Sequence, residues 1–219
     1  MPGSFLLVRH AQSEWNALGL WQGQADPPLS AEGRQQARAA AVRIASEPWF
    51  DGFDLVVSSD LARAVQTAEI VAADLGLDVL PVLDTGLREY GAGEWSGRTL
   101  AEIEALWPGE VERFTQGLVS SPPGGEDRRS FDARVAQSAR RIAALADGTG
   151  AGAVLVVAHG GVVGAVARSA GLVRRHTGHL AGYRGRHDGR GLFPEESVDL
   201  VGAPESEIAV PIGVIADTA

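Results

Sequence analysis

Three short apolar runs, separated by stretches with helical periodicity, constrain the fold of this chain most strongly. They occupy residues 5–8, 55–57 and 153–158. Short apolar runs without alternation are typical of strands that are buried on both faces, as in parallel sheets. The helical patterns between them predict a β-α-β alternation. We therefore expect an α/β fold with three layers, in which helices flank a mostly parallel sheet.

Each run leads into residues that can carry chemistry. The first ends at Arg9 and His10, and the third delivers His159 into Gly160. The second opens a helix whose first turn carries Arg63. In a parallel sheet the carboxyl ends of the strands share one edge, where ligands bind. The sequence therefore predicts that two histidines and two arginines meet at a single rim.

Capping and breaking residues predict the helices between these strands. Helices are expected over residues 30–48, 61–75 and 131–146, each begun or ended by a capping or breaking residue. Residues 85–130 are irregular and contain one short helix that a capping box at Thr99 begins. So long an excursion in a compact domain is usually functional, and we interpret it as a lid that selects the substrate.

The edges of the sheet are predicted from weaker patterns. Residues 79–83 are predicted to form a strand, and the proline among them restricts that strand to an edge of the sheet. Residues 176–219 are a divergent tail in which alternation over 197–201 and 207–215 predicts antiparallel edge strands. The length of 219 residues is that of a single domain, which we place over 1–219.

Composition excludes several kinds of chemistry. The chain has no cysteine, and all 19 of its basic residues are arginine. This rules out disulfides, a thiolate nucleophile and lysine-based catalysis, while arginine suits bidentate phosphate binding. The net charge of -9 argues against nucleic-acid binding. Without an apolar run of membrane-spanning length or a signal segment, we expect a cytoplasmic protein that does not bind membranes.

One segment departs from the acidic character of the chain. Between Arg168 and Arg190 six arginines accompany a single acid, Asp188. We expect a solvated surface or a subunit contact there. The alternative is an attractive field for an anionic substrate.

Four motifs occur in order over roughly the first 170 residues. They are LVRHAQSEWN (7–16), SSDLARAVQTA (58–68), LREYGAGEWSG (87–97) and VAHGG (157–161). Together they resemble the histidine phosphatase superfamily, the phosphoglycerate mutase-like proteins. The resemblance implies a phosphoglycerate mutase-like fold and a single histidine phosphatase domain.

The resemblance also implies an activity, that of a histidine acid phosphatase-type enzyme without a cofactor or metal. This is a phosphomonoesterase that acts on a small phosphorylated metabolite through a phosphohistidine. His10 would be the nucleophile, kept neutral by the like charge of Arg9. Arg9 and Arg63 would bind the phosphoryl oxygens, Arg63 with help from the backbone N–H groups of its helix. His159 would donate a hydrogen bond to the same group.

Glu89 matches the family's proton donor, and Glu94 is the next candidate. The alternative for Glu89 is a structural salt bridge with Arg88. The remaining predicted substrate or phosphate contacts are Asn16, Gln22, Gly23 and Gly160, the last because a glycine permits close backbone approach.

The chain departs from the family pattern at two places. Ala11 stands where the family's R-H-G triplet has glycine, and its methyl group could crowd the phosphate or forbid a positive φ. We expect mild tuning of activity. The tail also lacks the asparagine-containing strand that these proteins often have, which leaves one wall of the pocket undefined.

Other interpretations compete with a phosphatase. One is phosphoryl transfer of the phosphoglycerate mutase type, and another is a degenerate module that only binds phosphorylated ligands. A metal hydrolase could use His176, His179 and His187, although no carboxylate cluster accompanies them. The sequence identifies neither the substrate nor the oligomeric state, and a homodimer stays open.

Overall fold

A six-stranded sheet forms the centre of the computed structural model, which describes residues 3–172 and 178–202. The strand order is β3-β2-β4-β1-β5-β6. The strands are β1 (Gly3–Arg9), β2 (Leu55–Ser58), β3 (Val82–Leu83), β4 (Ala153–Ala158), β5 (Ala181–Asp188) and β6 (Gly191–Asp199). Strands β3, β2, β4 and β1 run parallel, whereas β5 and β6 are antiparallel additions. This confirms the predicted three-layer fold with a mostly parallel sheet.

The helices of the described residues follow the predicted alternation. They are α1 (Glu14–Ala17), α2 (Ala31–Ala45), α3 (Ala62–Asp74), α4 (Leu100–Leu106), α5 (Glu110–Thr115), α6 (Arg128–Thr149) and α7 (Gly160–Ser169), with 3₁₀ turns at Thr85–Leu87 and Gly93–Trp95. Within the described ranges, no helix is both long and apolar enough to span a bilayer.

Helix α6 is longer at both ends than predicted. The Asp127 side chain accepts hydrogen bonds from the backbone N–H groups of Arg129 and Ser130, which starts the helix earlier. At the other end, Gly150 adopts a left-handed conformation (φ +72°) and terminates it. The expected stop at residues 147–148 is therefore wrong, since those residues continue the helix.

The two faces of the sheet bury separate clusters. In β1, Phe5 and Leu7 face one cluster with α6, α7 and the excursion, while Leu6 and Val8 face the cluster of α2 and α3. All four side chains are at most 2% exposed. Each such burial contributes about 1.5–3 kcal/mol, so β1 fixes both layers and the position of the residues at its end.

The excursion over residues 85–130 packs as part of the core. Tyr90 and Trp95 make edge or tilted ring contacts with Phe114, at 5.2 and 5.6 Å between centroids. The Tyr90 hydroxyl donates to the Ser120 carbonyl at 2.7 Å, and burial raises its pKa. The segment that follows Glu89 is therefore held in a defined shape. Its role in substrate selection stays a prediction.

The tail contains a strand that sequence reasoning missed. Glycines and arginines interrupt β5, so it shows no apolar alternation, yet it pairs with β1 along its length. A Cβ at Gly182 would lie 1.9 Å from the Leu7 carbonyl oxygen, which explains the glycine. The strand predicted over 197–201 overlaps the end of β6, and the one predicted over 207–215 lies outside the described residues. The edge strand predicted over 79–83 is present only as β3.

Four arginines of the basic segment are paired with carboxylates. Arg184 and Arg186 of β5 bind Glu196 and Glu195 of β6, both at 2.6 Å. The other two pairs are Arg168 with Asp132 and Arg190 with Asp188. Paired charges produce little net field, which favours the interpretation as a solvated surface. Residues 174 and 175 lie outside the described ranges.

Candidate active site

His10 lies directly after β1, with its ring held at both nitrogens. Its Nδ1 is 2.6 Å from the carbonyl oxygen of Ala11, and its Nε2 is 3.2 Å from Nε of Arg63. A carbonyl oxygen only accepts and a guanidinium N–H only donates. Nδ1 must therefore carry the proton, and Nε2 must carry the lone pair that a nucleophile needs.

The surroundings of His10 keep it neutral. Its side chain is 3% exposed, and burial is the main cause that lowers its pKa well below the ordinary value. The charge of Arg63 is the next cause, followed by His159 and then Arg9. The predicted effect of Arg9 on the pKa of His10 has the expected direction, but desolvation of the imidazolium and the charge of Arg63 outweigh it.

Arg63 is buried at the start of α3 and is held by the loop between α1 and α2. Its Nη1 donates to the Ala25 carbonyl at 2.7 Å and its Nη2 to the Gly23 carbonyl at 2.9 Å. Burial lowers its pKa to about 10, which still leaves it charged at neutral pH. These bonds aim Nε at the nucleophilic atom of His10.

The backbone at the start of α3 is not free for a phosphate in the way predicted. The carboxylate of Asp26 already accepts the N–H of Ala62 at 2.6 Å. This backbone N–H is therefore already paired with an anion of the chain itself, and the hydrogen bond of Arg63 to His10 comes from its side chain.

His159 lies at the end of β4, with its ring centroid 5.1 Å from that of His10. It is fully buried, and its Nε2 makes a 2.9 Å hydrogen bond with Oγ of Ser59. Its Nδ1 is buried without a hydrogen-bond partner in the described structure. Burial and the charges of Arg63 and Arg9 lower its pKa. The structure places both histidines and Arg63 of the predicted rim together at the carboxyl edge of the sheet, and Arg9 is the last residue of β1.

Glu89 reaches this rim from the excursion. One carboxylate oxygen accepts the Tyr90 N–H at 2.8 Å and the other accepts the Gly161 N–H at 3.1 Å. A Cβ at Gly161 would lie 2.2 Å from the Glu89 carboxylate, whereas one at Gly160 would meet nothing closer than 3.7 Å. Gly161 thus permits the close approach of Glu89, and the contact of Gly160 with the phosphoryl group stays a prediction.

The alternative roles for the acid are excluded or unsupported. Arg88 forms a bidentate pair with Asp60 at 2.8 and 2.6 Å, so it is not the partner of Glu89. Glu94 is exposed and lies within the 3₁₀ turn Gly93–Trp95.

The predicted contacts in the loop after β1 have structural partners. The side chains of Asn16 and Ser13 form a capping box around α1. Gln22 accepts from the Ser13 hydroxyl at 2.7 Å. Gly23 has a positive φ of +53°, and a Cβ there would lie 2.6 Å from Ala92. These residues shape the loop whose carbonyls hold Arg63.

The backbone of Ala11 is not left-handed and its methyl group is buried, while its effect on activity stays a prediction. Among the described residues, Leu180 is the one non-glycine residue with a positive φ, so Ala11 needs no left-handed backbone. Its methyl group is fully buried in the cluster of α2 and α3. Its N–H donates to Oγ1 of Thr67, which in turn donates to the Arg63 carbonyl.

Several site residues were missed by sequence reasoning. Ser59 directly follows β2 at the same sheet edge, and that position was a usable signal. Thr67 gave no signal, because a threonine inside a helix is ordinary. His179 was assigned to the metal alternative, yet its ring centroid lies 6.1 Å from that of His10.

The described residues give no support to a metal centre. Within residues 3–172 and 178–202, no group of three or more potential ligands is placed to hold a metal ion. His187 pairs with Gly3 at the opposite end of β1 from His10, so it cannot share a site with His179. His176 lies outside the described residues.

The sequence of this chain is similar to those of known proteins. A model of the histidine phosphatase superfamily (branch 1) matches residues 5–180. A 2,3-bisphosphoglycerate-dependent phosphoglycerate mutase of Methylobacterium radiotolerans is 37% identical over 163 residues, 73% of this chain and 75% of the relative. A glucosyl-3-phosphoglycerate phosphatase of Mycobacterium tuberculosis is 36% identical over 174 residues, 77% of this chain and 74% of the relative.

Solved structures extend the likeness to the fold. A phosphoglycerate mutase of Bacillus anthracis superposes with a TM-score of 0.78 at 23% identity, covering 91% of this chain and 94% of that one. A mycobacterial glucosyl-3-phosphoglycerate phosphatase superposes with a TM-score of 0.68 at 31% identity, covering 88% and 96%. The four motifs, their shared sheet edge and these matches establish that the chain belongs to the histidine phosphatase superfamily.

Proposed function

We propose that this chain is a metal-independent phosphomonoesterase that forms a phosphohistidine at Nε2 of His10. The observation that carries the proposal is the pair of bonds at its ring, 2.6 Å from Nδ1 to Ala11 and 3.2 Å from Arg63 to Nε2. They leave a neutral imidazole with its lone pair beside a phosphate-binding guanidinium. A buried histidine with only a packing role would not need both.

In the first step, Nε2 of His10 attacks phosphorus and the bond from phosphorus to the leaving alcohol oxygen breaks. The Nε–H of Arg63 breaks its hydrogen bond to the lone pair on Nε2 and donates instead to a phosphoryl oxygen, and Arg9 supplies further positive charge. The unpartnered Nδ1 of His159 is available to donate to another oxygen. Protonated Glu89 gives its proton to the departing oxygen.

In the second step, water attacks the phosphohistidine from the side that the alcohol has left. Glu89, now a carboxylate, takes a proton from that water, and phosphate departs as the bond to Nε2 breaks. One difficult displacement is thereby divided into two easier ones, with one acid–base residue serving both.

Mutase-type transfer is the second candidate, because a mutase is among the relatives at 37% identity. A mutase must shield its phosphohistidine from water and retain a bisphosphorylated intermediate. Here 69 residues separate Glu89 from His159, and α4 and α5 within them pack on the core. This short segment leaves the phosphohistidine accessible to water, which favours hydrolysis.

For the substrate we propose a small phosphorylated metabolite of the phosphosugar or phosphoglycerate type. Relatives named glucosyl-3-phosphoglycerate phosphatase, 36% identical to this chain, support that class. A module that only binds such ligands is disfavoured because the nucleophile, both arginines, the second histidine and the acid are all present. A cytoplasmic location and a homodimer stay predictions from the sequence.

Two assays test this function. Turnover of p-nitrophenyl phosphate should survive exhaustive chelation with EDTA and be blocked by vanadate. With 3-phosphoglycerate and a trace of 2,3-bisphosphoglycerate, inorganic phosphate should form faster than 2-phosphoglycerate. Activity that EDTA removes and zinc restores would disprove the mechanism, and faster formation of 2-phosphoglycerate would establish the mutase instead.

A further inference from the structure

We propose that His179 is a third histidine of the phosphoryl pocket, where its imidazole donates a hydrogen bond to a phosphoryl oxygen of the ligand. This inference rests on the proposed function. The ring centroid of His179 lies 6.1 Å from that of His10, only 1 Å farther than the 5.1 Å of His159. The side chain is 8% exposed.

Leu180, the residue after His179, has a strained backbone conformation. Leu180 has φ +56°, a left-handed conformation that is unfavourable for a branched side chain. Its side chain is fully buried, so it cannot relax by moving into solvent. Such outliers persist only where the surrounding structure over-determines them, and they concentrate at functional sites.

The strained residue is tied to the catalytic strand. The Leu180 N–H donates to the carbonyl of Arg9 at 3.0 Å, and the Leu180 carbonyl accepts the Leu200 N–H at 3.3 Å. The first bond attaches the turn before β5 to the residue that immediately precedes His10, and the second ties it to the residue after β6. They hold the backbone next to His179 at the end of β1, where the phosphoryl group must lie.

The imidazole of His179 can serve as a donor beside the other groups of the pocket. Arg63 lies next to His10 and supplies the positive charge there. An imidazole carries at least one N–H in either protonation state, so His179 can donate to an anion. Hydrogen bonding to the dianionic phosphoryl group is therefore the contribution expected of this residue.

The test measures ligand affinity without turnover. Dissociation constants for inorganic phosphate and orthovanadate would be measured by calorimetry on wild type and on four variants, His179→Ala, His179→Phe, His179→Asn and His179→Gln. The Ala and Phe variants should bind about 10-fold more weakly, because they lack a donor. The Asn and Gln variants keep an amide N–H, and at least one should bind within about 3-fold of wild type.

A second buried histidine gives the control. His187 is 2% exposed and lies in β5 beside Gly3, at the far end of the sheet from the pocket. His187→Leu should leave both dissociation constants unchanged, whatever its effect on the melting temperature. It therefore separates a general loss of stability from a loss of ligand contact.

Two results would overturn the inference. One is unchanged affinity in both His179→Ala and His179→Phe. The other is an equal loss in all four variants, which would assign His179 a packing role. Failure of the proposed function looks different, since wild type itself would then neither bind phosphate nor hydrolyse p-nitrophenyl phosphate.

Discussion

His10 shows how two ordinary neighbours can define a nucleophile. The carbonyl of Ala11 fixes the proton on Nδ1, and Arg63 approaches the lone pair on Nε2. Burial lowers the pKa of His10 well below 6.5, so the neutral form persists through the physiological range. The reactive form is thus set before a substrate arrives.

The first prediction separates the nucleophile from the acid. His10→Ala should abolish turnover of every phosphomonoester, because no other group can replace the attacking nitrogen. Glu89→Gln should slow an alkyl phosphate by about 10²- to 10⁴-fold but an activated aryl phosphate by much less, since the latter leaves without a proton. The measurement is kcat/KM for both substrates. Equal losses on the two would remove Glu89 from the acid role.

A second prediction concerns the residue after the nucleophile. Ala11→Gly restores the triplet of the family but removes a methyl group that is fully buried. It should lower the free energy of unfolding by about 1 kcal/mol, from the lost burial and the added backbone freedom. It should change kcat/KM by less than about 3-fold, because the methyl group faces the cluster of α2 and α3. A gain of 10-fold or more in kcat/KM would show that Ala11 does crowd the phosphate.

The residues at strand ends were the predictable part of the site. An apolar run places its next residue at the sheet edge, so His10 and His159 could be assigned before any coordinates. The partners of Arg63 could not be predicted, because they are backbone carbonyls of residues 23 and 25, some 40 positions away. A carbonyl has no sequence signature, and only the folded loop brings it there.

Helix α6 positions Glu89 through the side chain of Arg134. The guanidinium of Arg134 donates to the carbonyls of Gly86, Arg88 and Glu89 at 3.0, 2.6 and 2.9 Å. It also makes a bidentate pair with Glu126 at 2.7 and 2.8 Å. The Glu126 carboxylate accepts the Gly91 N–H, so this pair holds the segment on both sides of Glu89.

The third prediction concerns Arg134, whose hydrogen bonds hold the backbone around Glu89. Arg134→Gln should lower kcat/KM for an alkyl phosphate by about 10- to 100-fold, because a shift of about 1 Å in the acid is that costly. An activated aryl phosphate, which does not need the acid, should lose less than about 3-fold. In the double variant with Glu89→Gln, the losses in kcat/KM for the alkyl phosphate should not be additive.

Arg141→Gln is the matched control on the same helix. Arg141 binds the Asp84 carboxylate at 2.7 Å and does not hold the carbonyls around Glu89. Its loss should affect both substrates equally and only slightly. A uniform loss on both substrates in Arg134→Gln would reduce its role to stability.

At the scale of elements, regular patterns were predictable and interrupted ones were not. The helices α2 and α3 begin directly after Ser30 and Leu61, close to the predicted starts. β5 was missed because its inward positions include glycine and histidine instead of a continuous apolar set. Its pairing with β1 is decided by close backbone contact at Gly182, which local propensity cannot reveal.

The whole molecule carries buried histidines that couple stability to pH. His10, His159 and His187 are at most 3% exposed, and burial is the first cause that lowers the pKa of each. In the unfolded chain they titrate near pH 6.5. Below that pH the unfolded state binds protons that the native state excludes, so stability is lost as the pH falls.

The fourth prediction is the size of that loss. The free energy of unfolding, from urea denaturation, should be nearly flat between pH 8 and 7 and fall by about 1–3 kcal/mol between pH 7 and 5.5. His187→Leu, which removes one such group outside the site, should make the fall shallower. A stability that does not change between pH 7 and 5.5 would contradict the assignment of neutral buried histidines.

The central claim is a covalent phosphohistidine on His10 formed without a metal. The most direct measurement is a rapid acid-free quench of enzyme with a phosphomonoester in EDTA, followed by mass spectrometry of the phosphorylated peptides. We expect one phosphorylation, stable in alkali and labile in acid, that maps to His10 and is absent from His10→Ala. Turnover without any trapped label, label that persists in His10→Ala, or label that requires an added metal would contradict the account.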